Sequence, residues 1–421
     1  MNYQHVEPTA YTVTVVVGAY NASATLDRAL RSALGQTHQR VEVVVVDDAS
    51  TDGTLAVAQQ HALRDPRVRV IARPQNSGGV GAPRNNGIEA ASGQFVMFLD
   101  ADDELPHKAC EVLLASALTT GADITAGRAL RVNLAKDEIT VWQPQLYGTD
   151  RTVAGGLRAM PELFDDPIAA AKLYRLDFLL NNGIRFPESV YFEDTYFSTV
   201  AGYCARSITL LAAPVYRWIW ERETDAPSIT NRRGELRSIR DRVLVHQWAD
   251  AFLAQNGAHE LMAHKAAKFL SHDLRLYTPE LRTGDDGYRQ GFVQFVAPYL
   301  RSFTPEAYDL CGPWNACGPS GSCTAGSTWR SRSPTTPSGA ACSAPTWWSA
   351  TRRSTGRARC SAGRTPSASS TSPTSTSPAR PSPTPVCSTR PRAPRSGTAS
   401  STSRATSATS SAASAPRTSS N

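Results

Sequence analysis

Four carboxylates fall within five positions, Asp100-Ala101-Asp102-Asp103-Glu104. Left to themselves they repel one another, and a divalent cation relieves that repulsion. Hard oxygen donors of this kind suit Mg2+ or Mn2+, which keep part of their water shell and bridge substrate phosphates. The plainer reading is a solvated acidic turn complementing the dipole of a helix expected over 106–118. A second acidic pair, Asp47-Asp48, opens the run Asp-Asp-Ala-Ser-Thr-Asp-Gly. A carboxylate so placed either caps a turn or accepts hydrogen bonds from a ribose or nucleobase. Further along, Gly78, Gly79 and Gly81 allow close backbone approach to a ligand. Arg84, followed by Asn85, can pair with a phosphate or stack on a base.

These residues need elements to position them. Residues 11–17, 41–46, 68–72 and 95–99 are continuous apolar, β-branched runs, the pattern of strands buried on both faces of a parallel sheet. Between them, Leu26, Ala29, Leu30, Ala33 and Leu34 lie at helical spacing behind Ser23 as a candidate cap. Leu55 to Leu63 form a second helix, and a short third one ends at Ile88–Ala91. The alternation predicts an α/β sheet with right-handed crossovers. Ligands of such sheets bind beyond the carboxyl ends of the strands. Each cluster above sits at such an end, and Ala19-Tyr20-Asn21 follows the first strand. Neither GxGxxG nor a Walker A loop follows that strand, which disfavours dinucleotide-dependent dehydrogenases and P-loop enzymes. Beyond 105 the pattern predicts strands at 122–132 and 138–142, helices at 169–180 and 195–203, and one or two strands over 207–220 split at Pro214. Mainly helical chain is expected over 234–277 and 286–302.

The ordered runs VVVGAYNASATLDRALRSALGQT, VEVVVVDDASTDGT, NSGGVGAPRNNGI and GQFVMFLDADDEL resemble glycosyltransferase family 2. Lys172-Leu173-Tyr174-Arg175 and Phe192-Glu193-Asp194-Thr195-Tyr196-Phe197 extend the likeness, which covers about 11–230. The resemblance implies a GT-A fold and nucleotide-sugar chemistry. It implies donor contacts from Ala19, Tyr20, Asn21, Asp47, Asp48, Gly79, Arg84, Asn85, Asp100 and Ala101, with Asp48 as the base-recognising residue. It further implies metal binding by Asp100 and Asp102, Asp102 being the direct ligand, and a catalytic Glu193-Asp194 pair with Asp194 as the base. Gly18 departs from the proline or threonine frequent there, and Pro83 from an alanine. A metal would neutralise the departing diphosphate, a base would take the proton of the acceptor hydroxyl, and one in-line displacement would invert the anomeric centre. The plainer role of Glu193-Asp194 is charge at a helix N-terminus. The acceptor classes implied are a cell-surface polysaccharide, a lipid-linked glycan or a polyol phosphate. Two other readings stay open. One is nucleotidyl transfer, which would favour a basic Gly-rich loop after the first strand. The other is a non-catalytic sugar-nucleotide binder, or the inactive product of a damaged gene.

The chain of 421 residues carries a net charge of +7 with a misleading distribution. All 37 acidic residues precede position 311, against 31 of the 44 Lys and Arg, so the body is acidic at −6. Nucleic acid is therefore not an expected partner. Residues 311–421 contain no Asp, Glu, Lys, Leu, Ile or Phe but 13 Arg, four Trp and six of the eight Cys. Apart from Asn315, Val386 and Asn421 they use residue types that have codons with G or C in the middle position. That is how a G+C-rich gene reads one base out of frame. The expected organisation is a GT-A domain at 1–230, a helical extension at 231–310, and a frameshifted, disordered tail at 311–421. Cys110 and Cys204 alone in the body suit a reducing compartment. The start MNYQHVEPTA lacks a basic and apolar leader, and no run reaches the ~18 apolar residues of a membrane span. A cytoplasmic protein is expected. Arg232, Arg233, Arg237, Arg240 and Arg242 are candidates for a peripheral contact with the inner face of the membrane.

Overall fold

A computed structural model describes residues 10–220 and 229–311. The expectations for 312–421, and the domain boundary at 230, fall on or beside segments outside the described residues. The sheet begins with β1 (Val13–Ala19), β2 (Val41–Asp47), β3 (Val68–Ala72) and β4 (Phe95–Asp100), all mutually parallel. Val15, Val16 and Val17 of β1 and Val43 to Val46 of β2 are fully buried on both faces. Each such side chain contributes roughly 1.5–3 kcal/mol by leaving water. The connecting helices are α1 (Leu26–Leu34), α2 (Thr54–Arg64) and α3 (Gly81–Ala90). Thr25, not Ser23, stands at the start of α1, and no side-chain cap forms there. Gly87 lets α3 lie against the sheet: a Cβ at that position would come within 2.1 Å of Val16.

Among the described residues the second half completes a nine-stranded mixed sheet. After α4 (Ala109–Thr120) come β5 (Ile124–Asn133), β6 (Glu138–Val141), β7 (Arg151–Ala154), β8 (Lys172–Arg175), α5 (Leu176–Asn181), α6 (Glu193–Cys204) and β9 (Ser207–Trp220). The order is β3-β2-β1-β4-β8-β5-β9-β7, with β6 on β5. β8 runs antiparallel between β4 and β5, while β5 and β9 are parallel to each other. Two expectations change here. The alanine-rich stretch 169–180 is not one helix: Ala171 takes φ +61° and the next residues join the sheet as β8. And 207–220 is one strand, because Pro214 falls at a register irregularity opposite Arg128, where a missing N–H is tolerated.

The extension consists of α7 (Leu236–Gln255), α8 (Met262–Lys268), α9 (Thr278–Thr283), α10 (Asp286–Arg301) and α11 (Pro305–Leu310). It has its own apolar core, including Ile239, Val243, Phe269, Tyr277 and Tyr299. Among the described residues no helix is long and apolar enough to cross a membrane.

Candidate active site

The polar clusters meet at the carboxyl edge of β1, β2 and β4, and one guanidinium joins two of them. Arg84 sits in the first turn of α3, is 3% exposed, and packs over Phe186 at 5.2 Å and Phe98 at 5.9 Å from the ring centroids. Its Nη2 donates to Asp100 Oδ1 at 2.6 Å, and its Nη1 donates to Glu193 Oε1 at 2.8 Å and to Asp194 Oδ1. Burial works against its charge, but Asp194, Asp100 and Glu193 together hold it firmly protonated. Arg84 is thus the counter-ion that brings the end of β4 to the start of α6, rather than a solvent-facing phosphate ligand.

The pair on α6 is chemically unequal. Burial, then the charge of Asp194, push the Glu193 carboxyl up to about 8, against the opposing effect of Arg84. Glu193 is 5% exposed and is therefore the protonated partner near neutral pH. The Asp194 side chain keeps 21% of its surface, and its Oδ2 accepts the Ala169 backbone N–H at 2.9 Å. Both residues also occupy the first turn of α6, so the dipole reading holds alongside. The turn before them is left-handed at Phe192, φ +64°.

The acidic run after β4 is neutralised by the chain itself. Asp103 is buried, accepting from Tyr216 Oη at 2.7 Å and Ile219 N at 2.8 Å. Burial, followed by Asp102 and Asp100, raises its carboxyl well above the usual range. Glu104 lies 3.3 Å from both Arg28 and Arg217. The chain itself thus answers part of the expected mutual repulsion, while the charges of Asp102 and Asp100 still act on Asp103. Among the described residues no group of three or more His, Cys, Asp or Glu could hold an ion. Asp102 is exposed, and Asp100, two residues away, is half-exposed. These hard donors fit Mg2+ or Mn2+ only as part of a coordination sphere that ligand phosphates and water complete. Ala101 between them is buried.

At the ends of β1 and β2 most candidate donor contacts are engaged by the protein. Asp48 is 1% exposed: Oδ1 lies 2.7 Å from Arg73 Nε, and Oδ2 accepts from Ser77 Oγ, Ser77 N and Asn76 Nδ2 at 2.8–3.1 Å. It organises the loop after β3. Asp47 Oδ2 accepts from Ser50 N at 3.2 Å, whereas its buried Oδ1 has no hydrogen-bond partner among the described residues. Ala19 is buried, and Asn21, at φ +48°, ties to Ser50 and Thr51. Tyr20 presents a ring 49% exposed. Gly79 and Gly81 let the chain pack closely: a Cβ there would meet Val190 O at 2.5 Å and Pro187 O at 2.1 Å. Asn85 clasps the same segment through the Phe186 backbone and Glu188.

Several contributors had no signal at short sequence range. Arg73, Tyr216 and the Ala169 amide are among them. The largest surprise is α7. Arg237 Nη2 donates to Gly78 O at 2.6 Å, and buried Asp241 accepts from Tyr191 N, Arg237 and Arg240 at 2.9–3.2 Å. The Arg242 guanidinium lies 3.6 Å from the centre of the Phe192 ring and reaches Asp273 at 2.9 Å. Two of the five arginines expected on a membrane-facing surface, Arg237 and Arg242, thus turn toward the two loops of the site, while Arg240 stays exposed beside Asp241.

Comparison with known proteins agrees with this geometry. The fold is of the GT-A type. Staphylococcus aureus TarS residues 1–349, solved with UDP-GlcNAc, superposes with a TM-score of 0.57 at 22% identity, over 71% of this chain and 83% of that one. Residues 14–170 match the family described as glycosyl transferase family 2. The putative glycosyltransferase EpsH of Bacillus subtilis (strain 168) is 30% identical over 209 residues, which are 49% of this chain and 60% of EpsH. The poly(ribitol-phosphate) beta-glucosyltransferase of Bacillus spizizenii is 28% identical over 223 residues, 52% of this chain and 33% of that protein. The chain thus spans between a third and three fifths of the length of these two relatives.

Proposed function

We propose that the protein transfers a sugar, with inversion, from a nucleotide-diphosphate sugar to a polyol-phosphate, lipid-linked or cell-surface polysaccharide acceptor. The observation that carries this reading is the Arg84 cluster, which brings the carboxylate that follows β4 and the partly exposed Asp194 to one guanidinium. A nucleotide-sugar reaction needs those two groups side by side, one near the diphosphate and one near the attacking hydroxyl. Support for the acceptor class comes from relatives named as poly(ribitol-phosphate) glycosyltransferases, the TarS protein of S. aureus among them.

In this mechanism Asp194 takes the proton of the acceptor hydroxyl while that oxygen attacks the anomeric carbon and the bond to the diphosphate breaks. The Ala169 amide and Arg84 fix the carboxylate in one orientation. Glu193, protonated near neutral pH, shares Arg84 without adding a second full negative charge beside the base. Asp102, with Asp100, would hold Mg2+ or Mn2+, which when bound neutralises charge developing on the diphosphate. Tyr20, exposed at the end of β1, would stack on a nucleobase.

The test is a panel of nucleotide sugars with and without Mn2+, followed by Asp194→Asn. Asparagine keeps the shape and cannot accept the proton. Turnover should fall by roughly 10²–10⁴, the usual size of general-base assistance, with donor affinity kept. Turnover near that of the wild type with saturating acceptor would assign the base elsewhere.

A further inference from the structure

Arg131 on β5 faces Trp218 on β9 in register, and its guanidinium carbon lies 4.9 Å from the Trp218 ring centroid and 5.7 Å from that of Trp142. The two indoles meet edge to face at 5.8 Å. Trp142 is fixed by its Nε1–H, which donates to Asp166 Oδ1 at 3.0 Å. Both rings rest on the main core, so the cradle is rigid. Arg131 is an exposed residue whose guanidinium is partly covered by the cradle, and it has no carboxylate partner and no hydrogen bond among the described residues. Burial, and then the nearby positive charge of Arg233, lower its pKa. A cation stacked on aromatic faces presents its N–H edge outward, in the fork geometry that suits a phosphate.

The position adds to this. Trp218 lies on β9 between Arg217, which pairs with Glu104, and Ile219, whose amide holds Asp103. The cradle therefore borders the acidic run that carries Asp102. We propose that Arg131, held by Trp142 and Trp218, is a binding site for a phosphodiester of the acceptor chain. It would select anionic polyol-phosphate acceptors over neutral glycans. The identity of the ligand as an acceptor rests on the transferase reading above.

The experiment titrates the full-length protein by calorimetry with a synthetic glycerol-phosphate hexamer, maltohexaose, inorganic phosphate and UDP. It compares the wild type with Arg131→Gln and Arg131→Lys. Expected is hexamer binding that weakens with salt, falls about tenfold or more in Arg131→Gln and is only partly recovered in Arg131→Lys, which keeps the charge but not the planar fork. Maltohexaose should not compete, and UDP affinity should be equal in all three proteins, which also reports on their folding. No hexamer binding by the wild type, or equal binding by Arg131→Gln, overturns the proposal. So does UDP affinity that falls with the substitution, which would give Arg131 to the donor diphosphate. Inorganic phosphate binding as tightly as the hexamer would reduce the site to a general anion site and overturn the acceptor assignment. A wild type that hydrolyses no nucleotide sugar would defeat the transferase reading alone, since the hexamer titration is read without turnover.

Discussion

Replacing Arg84 with methionine keeps the aliphatic stem on Phe98 and Phe186 and removes only the charge and its hydrogen bonds. Arg84 is the shared partner of three carboxylates, Asp100, Glu193 and Asp194, in a setting where it is itself 3% exposed. Breaking a buried ion pair by deleting one member costs about 3–5 kcal/mol, because the remaining charge is left uncompensated. On a chain of this size that lowers the melting temperature by something on the order of 10 °C. Thermal and urea unfolding of the two proteins measure it. A deficit below about 1 kcal/mol would refute Arg84 as the electrostatic keystone of the site.

Three further outcomes follow from the same geometry. Glu193→Gln should flatten the stability-pH curve: a carboxyl raised from 4.5 to about 8 costs the wild type about 1.4 kcal/mol per pH unit across that window as pH rises, and glutamine has nothing to ionise. Parallel curves for the two proteins would show that Glu193 ionises normally. Asp102→Ala should abolish the Mn2+-dependent part of UDP affinity in calorimetry, leaving the metal-free part intact; an unchanged metal increment would remove Asp102 from the metal site. Asp241→Asn should lose hydrogen-exchange protection at the Tyr191 amide and lower transfer by roughly tenfold to a hundredfold, the cost of misplacing a reacting group; full activity with a protected amide would make that contact merely structural.

What was legible in the sequence was what depends on neighbours in the chain. The runs at β1, β2 and β4 are apolar on every residue because helices or other strands cover both faces, and that leaves a continuous trace. The same holds for the acidic run after β4, which marks the end of a strand. Partners brought from far away left none. The stretch Ala169-Ala170-Ala171 favours a helix locally, yet pairing with β4 and β5 makes the next four residues a strand. Asp48 faces Arg73 and Ser77 instead of opening to solvent, because the loop after β3 folds back over it. The arginines of α7 looked like a basic face, since the buried Asp273 that claims Arg242 lies 31 residues away.

That last error bears on where the catalytic unit ends. A boundary near 230 would treat 11–230 as complete, with the helices beyond as an accessory. The extension does have a core of its own, which fits a separate packing unit. Yet Asp241 holds the Tyr191 amide, Arg242 stacks on Phe192, and the next residues along the chain are Glu193 and Asp194. Phe192 is left-handed, a conformation that a phenylalanine adopts at a cost of order 1–3 kcal/mol and keeps only where its surroundings impose it. On the other side Arg237 holds Gly78, next to the glycine that packs on Val190. One helix thus constrains the Gly-rich loop and the turn that aims Asp194. A chain cut at 230 would lose those restraints on both loops.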